Sequence, residues 1–129
     1  MEKKIKILVV DDEIDFTQPM AFWLESRGYS VAVAPDGKSA IELIKKDKPD
    51  IVFLDLKMPV MDGIETLRRI RKFNRKLPVI IITVEYANEQ KFEEAKKLGT
   101  SGFFPKKKGF EDLEKIIEVT LKTHKRLRK

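Results

Sequence analysis

Five short apolar runs alternate strictly with five segments of helical periodicity, and this alternation restricts the fold more than any other feature of the chain. The runs at 5–10, 30–34, 51–54, 79–83 and 102–104 have strand length, and helical patterns near 14–27, 37–47, 63–73, 86–98 and 110–126 separate them. Nearly continuous apolar strands are covered on both faces, so the pattern predicts an α/β fold: a doubly wound parallel sheet of five strands with helices on both sides. Turn-forming pairs fall at the breaks, among them Arg27-Gly28, Asp36-Gly37, Pro49-Asp50, Asp62-Gly63, Leu77-Pro78 and Leu98-Gly99. Pro19 lies inside the first helical pattern, which predicts a bend or a delayed start between Asp15 and Pro19. Phe16 and Trp23 lie on a separate flank of that helix and are read as core packing rather than as a partner-binding face.

Two of the runs end in acids. Asp11 and Asp12 close Ile7-Leu8-Val9-Val10, and Asp55 closes Ile51-Val52-Phe53-Leu54. An open α/β sheet keeps its site in the crevice at the carboxyl ends of its strands, so these three carboxylates are expected to share one pocket. Like charges so close oppose joint ionisation, and the site should take up a hard divalent cation or else hold a shared proton. Phosphate chemistry fits such a site, because phosphate cannot approach the acids without a cation.

Composition narrows the function further. Cysteine is absent, which removes disulfides, thiol catalysis and thiolate metal sites and agrees with a reducing cytoplasm. No apolar run approaches the roughly 20 residues of a membrane span, so membrane insertion is not expected. The net charge of +6 is concentrated at the end of the chain: Lys122, Lys125, Arg126, Arg128 and Lys129 leave residues 1–121 with 22 basic against 21 acidic groups. That tail carries neither a helix-turn-helix pattern nor an aromatic stacking platform, which argues against a nucleic-acid reader.

The segments ILVVDDE (7–13), DIVFLDLKMPVMDG (50–63), PVIIIT (78–83) and GFFPK (102–106) together resemble the receiver domain of bacterial two-component response regulators, in its stand-alone, chemotaxis-regulator-like form. The resemblance covers about residues 3–121, so the expected organisation is one receiver domain over 1–121 and a basic helix extension or tail over 122–129. It implies a flavodoxin-like sheet with strand order 2-1-3-4-5. It also implies that Asp55 accepts a phosphoryl group from a histidine kinase or phosphotransfer protein. Asp11, Asp12, Asp55 and the main-chain carbonyl of Lys57 would hold Mg²⁺, with Mn²⁺ as a substitute. Lys106 would pair with Asp55 and then with the phosphoryl group, Thr83 would supply the switch hydroxyl, and Phe103 would be the aromatic that turns inward with it. The output would be a downstream protein target, the oligomeric state a monomer or a phosphorylation-dependent dimer, and the catalysis confined to the chain's own phosphorylation and dephosphorylation.

Some positions depart from the family pattern. Lys107 stands where a proline usually follows the lysine, Pro105 precedes it instead, and Val84 replaces a small residue after Thr83. A cis bond before a non-proline residue costs about 3 kcal/mol, so the Lys106–Lys107 peptide is expected to be trans, with Gly109 available to absorb the turn. Lys57 and Glu85 could pair across the mouth of the site. Two other readings share the architecture or the chemistry. A flavodoxin-type cofactor binder would need hydroxyl and backbone donors after the first strand, where this chain has Asp11-Asp12-Glu13. A haloacid-dehalogenase-like phosphatase would carry its nucleophile in a DxD pattern after an early strand.

Overall fold

Alternation within each strand sends successive side chains to opposite faces of the sheet, and the helices close over both. The computed structural model describes residues 4–83 and 89–127, with the side chains of 124–127 excepted. In chain order the elements are β1 (Lys6–Val10), α1 (Ile14–Ser26), β2 (Ser30–Ala34), α2 (Gly37–Lys46), β3 (Ile51–Asp55), α3 (Gly63–Phe73), β4 (Val79–Thr83), α4 (Glu89–Lys97), β5 (Gly102–Pro105) and α5 (Glu111–Leu127). The five strands are parallel in the order β2-β1-β3-β4-β5, as the resemblance implied.

One face of the sheet presents Leu8, Val10, Val52, Leu54, Val79 and Ile81, which pack on Ala40 and Ile44 of α2, Ile64, Leu67 and Ile70 of α3, and Ala95 of α4. The other face presents Ile7, Val9, Ile51, Phe53, Ile80, Ile82 and Phe104 against Met20 and Leu24 of α1 and Leu113 and Ile117 of α5. Two cores, one on each side, therefore explain why the central strands read as unbroken apolar runs. Burying a side chain of this size contributes about 1.5–3 kcal/mol, so the sheet is held mainly by its cover rather than by its edges.

Local signals set the helix ends. The Asp36 carboxylate accepts the Ser39 N–H at 2.8 Å, and Asp62 accepts the Glu65 N–H at 2.9 Å, each capping a helix N-terminus. Gly28 takes φ +95° just beyond α1, a left-handed turn that a side chain would strain. Pro19 does not delay the first helix, which already begins at Ile14. The proline's missing N–H would have met the Asp15 carbonyl, and both residues are exposed, so no buried carbonyl is orphaned there. Phe16 and Trp23 are half-buried against the α1/α5 core, as their flank suggested. The α4 pattern expected over 86–98 is helical over Glu89–Lys97, and residues 84–88, with Val84, Glu85 and the expected start among them, lie outside the described residues. α5 continues past residue 121, so the start of the basic tail extends that helix.

Candidate functional site

Parallel register brings the acids together. Val10 pairs with both Ala34 and Leu54, Asp55 pairs with Ile82, and Thr83 pairs with Pro105, so the carboxyl ends of β1, β3, β4 and β5 converge on one crevice. Asp11 and Asp55 are buried at 2% and 3% exposure, whereas Asp12 is exposed. One carboxylate oxygen from each of the three lies within 4.8 Å of the others. Sequence reasoning expected this grouping, and the structure supplies it.

The backbone around Asp55 is fixed by close packing. A Cβ on Gly63 would fall 2.2 Å from the Asp55 carbonyl oxygen and 2.6 Å from Leu56 Cα, so α3 can start there only on a glycine. The Gly63 N–H donates to the Leu56 carbonyl at 2.9 Å, closing the turn that follows β3. Between them Val60 takes φ +68°, an uncommon conformation for a β-branched residue, with its side chain fully exposed.

Lys106 reaches this crevice from the end of β5. Its own N–H donates to the Thr83 carbonyl at 2.8 Å, and the peptide bonds among the described residues, including Lys106–Lys107, are all trans. The Lys108 N–H turns back onto the Pro105 carbonyl at 3.1 Å, so a tight turn follows β5. The Lys106 ammonium, 7% exposed, lies 2.6 Å from Asp11 Oδ2 and 3.4 Å from Asp55 Oδ2, and it also bonds the Glu13 carboxylate. Its nearest buried acid is thus Asp11, with Asp55 a longer hydrogen-bonded contact. Glu13 lies on the Asp11 side of the crevice and draws the ammonium toward β1.

Electrostatics follow from burial. Asp55 is pushed up to about 6 by desolvation first and the neighbouring Asp11 charge second, against the opposing pull of Lys106 and the Lys57 N–H. Burial draws the Lys106 ammonium down, but its contacts with Asp11 and Glu13 and the charge of Asp55 outweigh this and leave it raised. The Asp11 carboxylate accepts the Glu13 N–H at 3.0 Å through Oδ1, while Oδ2 is buried without an aligned hydrogen bond despite the close ammonium. An all-oxygen donor set with one unsatisfied buried oxygen fits a hard divalent cation, and the cluster could hold one.

The remaining expected residues lie around this centre. Thr83 ends β4 at 9% exposure beside β3. Lys57 is exposed, and its N–H donates to Asp55 Oδ1 at 3.3 Å. Phe103 is half-buried on the α4 side, its ring edge-on to Phe92 at 4.9 Å between centroids. Sequence reasoning missed Glu13 and Phe16. The Lys106 ammonium sits 5.0 Å from the Phe16 ring centre, Phe16 meets Phe110 at 6.1 Å, Phe110 meets Trp23 at 6.2 Å, and Arg27 lies 4.9 Å over Trp23. Glu13 and Phe16 are ordinary helix-start residues in the sequence, and their link to Lys106 spans about ninety positions, so no local signal marks them.

A family model for the response regulator receiver domain matches residues 7–118. The chain is 37% identical over 117 residues to the transcriptional regulatory protein ZraR of Escherichia coli (strain K12), covering 91% of this chain and 26% of that protein. It is 33% identical over 116 residues to the sporulation initiation phosphotransferase F of Bacillus subtilis (strain 168), covering 90% of this chain and 93% of that protein. The solved structure of the chemotaxis protein CheY4 of Vibrio cholerae superposes with a TM-score of 0.82 at 32% identity, over 92% of this chain and 99% of that one. The chain belongs to the response regulator receiver family of two-component systems. It spans about a quarter of the length of the first curated relatives. No helix among the described residues is long and apolar enough to cross a membrane.

Proposed function

We propose that Asp55 accepts the phosphoryl group, and the observation that carries this reading is a buried Asp55 within reach of both Asp11 and the Lys106 ammonium. A carboxylate oxygen of Asp55 attacks phosphorus in line, the new O–P bond forms as the donor's N–P or O–P bond breaks, and the electron pair leaves with the donor. The donor is a histidine kinase or phosphotransfer protein. Asp11, Asp12 and Asp55, with the Lys57 carbonyl, would hold Mg²⁺ or Mn²⁺. When bound, the ion neutralises charge on the incoming phosphoryl oxygens. Lys106 offsets the charge that remains, and Thr83 offers the hydroxyl through which Phe103 responds.

The output is a population shift on the face made by α4, β5 and α5, which recruits a downstream protein target as a monomer or as a phosphorylation-dependent dimer. The receiver unit occupies residues 1–121 in the cytoplasm, residues 122–129 extend it, and turnover is confined to the chain's own acyl phosphate. The decisive experiment is labelling by acetyl phosphate. Incorporation should require Mg²⁺ or Mn²⁺ and disappear in Asp55→Asn; label retained by that variant, or full label in EDTA, refutes the assignment. Lys106→Ala should reduce labelling, whereas Thr83→Ala should spare labelling more than the NMR response at Phe103.

A further inference from the structure

Lys106 is held by more than the two buried acids. Glu13, exposed at the start of α1, bonds the ammonium from one side, and the Phe16 ring faces it at 5.0 Å from the next turn of the same helix. Both braces lie with Asp11 on the β1 side of the crevice, and the ammonium accordingly stands 2.6 Å from Asp11 but 3.4 Å from Asp55. The second distance exceeds that of a well-formed charge-assisted hydrogen bond, about 2.7–2.9 Å. Lys106 is therefore parked beside Asp55 rather than committed to it.

We propose that Glu13 is a positioning residue that retains Lys106 on the α1 side, so that breaking the Glu13–Lys106 pair is part of the approach to the phosphorylated state. The inference rests on Asp55 as the acceptor. In the resting protein Glu13 competes with Asp55 for one ammonium, and Phe16 supports the same position by attraction of the cation to its face. When the Asp55 oxygen bonds phosphorus, the added phosphoryl charge must win Lys106 from Glu13. A chain with a neutral residue at this position has no such competitor. Glu13 thus slows capture of the phosphoryl group and, by drawing Lys106 back, shortens its stay.

The test compares the full chain with Glu13→Gln, using acetyl phosphate as donor at saturating Mg²⁺. Labelling of Asp55 should speed up by about 1.4- to fivefold, the range for loss of a partly exposed ion pair, and the acyl phosphate should decay more slowly. The gain should appear in the maximal rate rather than in the donor concentration at half-maximal rate. In the Lys106→Ala background the same substitution should change nothing, and Asp15→Asn, which removes an exposed acid from the same helix turn, should leave the rate as in wild type. NMR of the Lys106 ammonium without donor should shift in Glu13→Gln. Equal acceleration with and without Lys106, or an unchanged rate with an unmoved Lys106 signal, overturns the proposal. Absence of label in wild type as well as in Asp55→Asn would instead remove the acceptor assignment on which it rests.

Discussion

Replacing Asp55 by Asn should make the metal-free protein more stable, and the gain should depend on pH in a specified direction. The folded carboxyl keeps its proton to about pH 6, whereas the ordinary value is 3.8. Between these values the native state binds more protons than the unfolded state, so stability falls as pH rises through the window and stays lowered above it. At about 1.4 kcal/mol per pKa unit, the rise amounts to about 3 kcal/mol of burial and repulsion carried by wild type at neutral pH. The amide is of the same size and uncharged, and the rise to about 6 is already net of the attraction to Lys106, which keeps Asp11 and Glu13. A gain of about 3 kcal/mol follows, or about 10 °C in Tm for a chain of this length. Urea and thermal unfolding in EDTA at pH 7.5 and at pH 4 measure it. The gain should vanish at pH 4, and added Mg²⁺ should stabilise wild type more than the variant. A variant no more stable than wild type at pH 7.5, or equally favoured at pH 4, would refute the reasoning.

Gly63→Ala should cost about 3 kcal/mol or more, because its Cβ would lie 2.2 Å from the Asp55 carbonyl oxygen and backbone must move to admit it; urea unfolding with a labelling assay would read both the loss and the displaced acid. Val60→Gly should stabilise by about 1 kcal/mol, since a left-handed φ of +68° is relieved and a fully exposed side chain loses no packing. Equal or lower stability of that variant in thermal unfolding would contradict it. Deleting residues 122–129 takes the net charge from +6 to +1 and should remove most salt-sensitive DNA binding while leaving labelling unchanged. Binding across a salt series checks this, and salt-insensitive affinity without the tail would point to a site elsewhere.

The strands were legible because burial on both faces leaves an apolar run with little ambiguity, and Asp55 could be placed because it ends one of them. The acid cluster was legible for the same reason: strand ends of a parallel sheet meet. Pro19 misled over where α1 starts, since whether a proline delays a helix depends on which side its missing hydrogen bond faces, and that is set by packing. The preference of Lys106 for Asp11 was hidden because it is decided by Glu13 and Phe16, which approach only when α1 docks beside β5's loop. Type and order of elements are local properties of the chain, while the balance among three carboxylates around one ammonium is a property of the assembled crevice.

The run of rings from Phe16 through Phe110 to Trp23 gives this protein a built-in optical gauge. The chain has a single tryptophan, so its emission comes from one place. Trp23 rests on Phe110, Phe110 on Phe16, and Phe16 against the ammonium that the chemistry is proposed to move. If Lys106 leaves Phe16, the path of contacts runs through Phe110 to the indole, which also carries the Arg27 cation at 4.9 Å. Tryptophan emission is therefore the expected readout of the crevice in unlabelled protein.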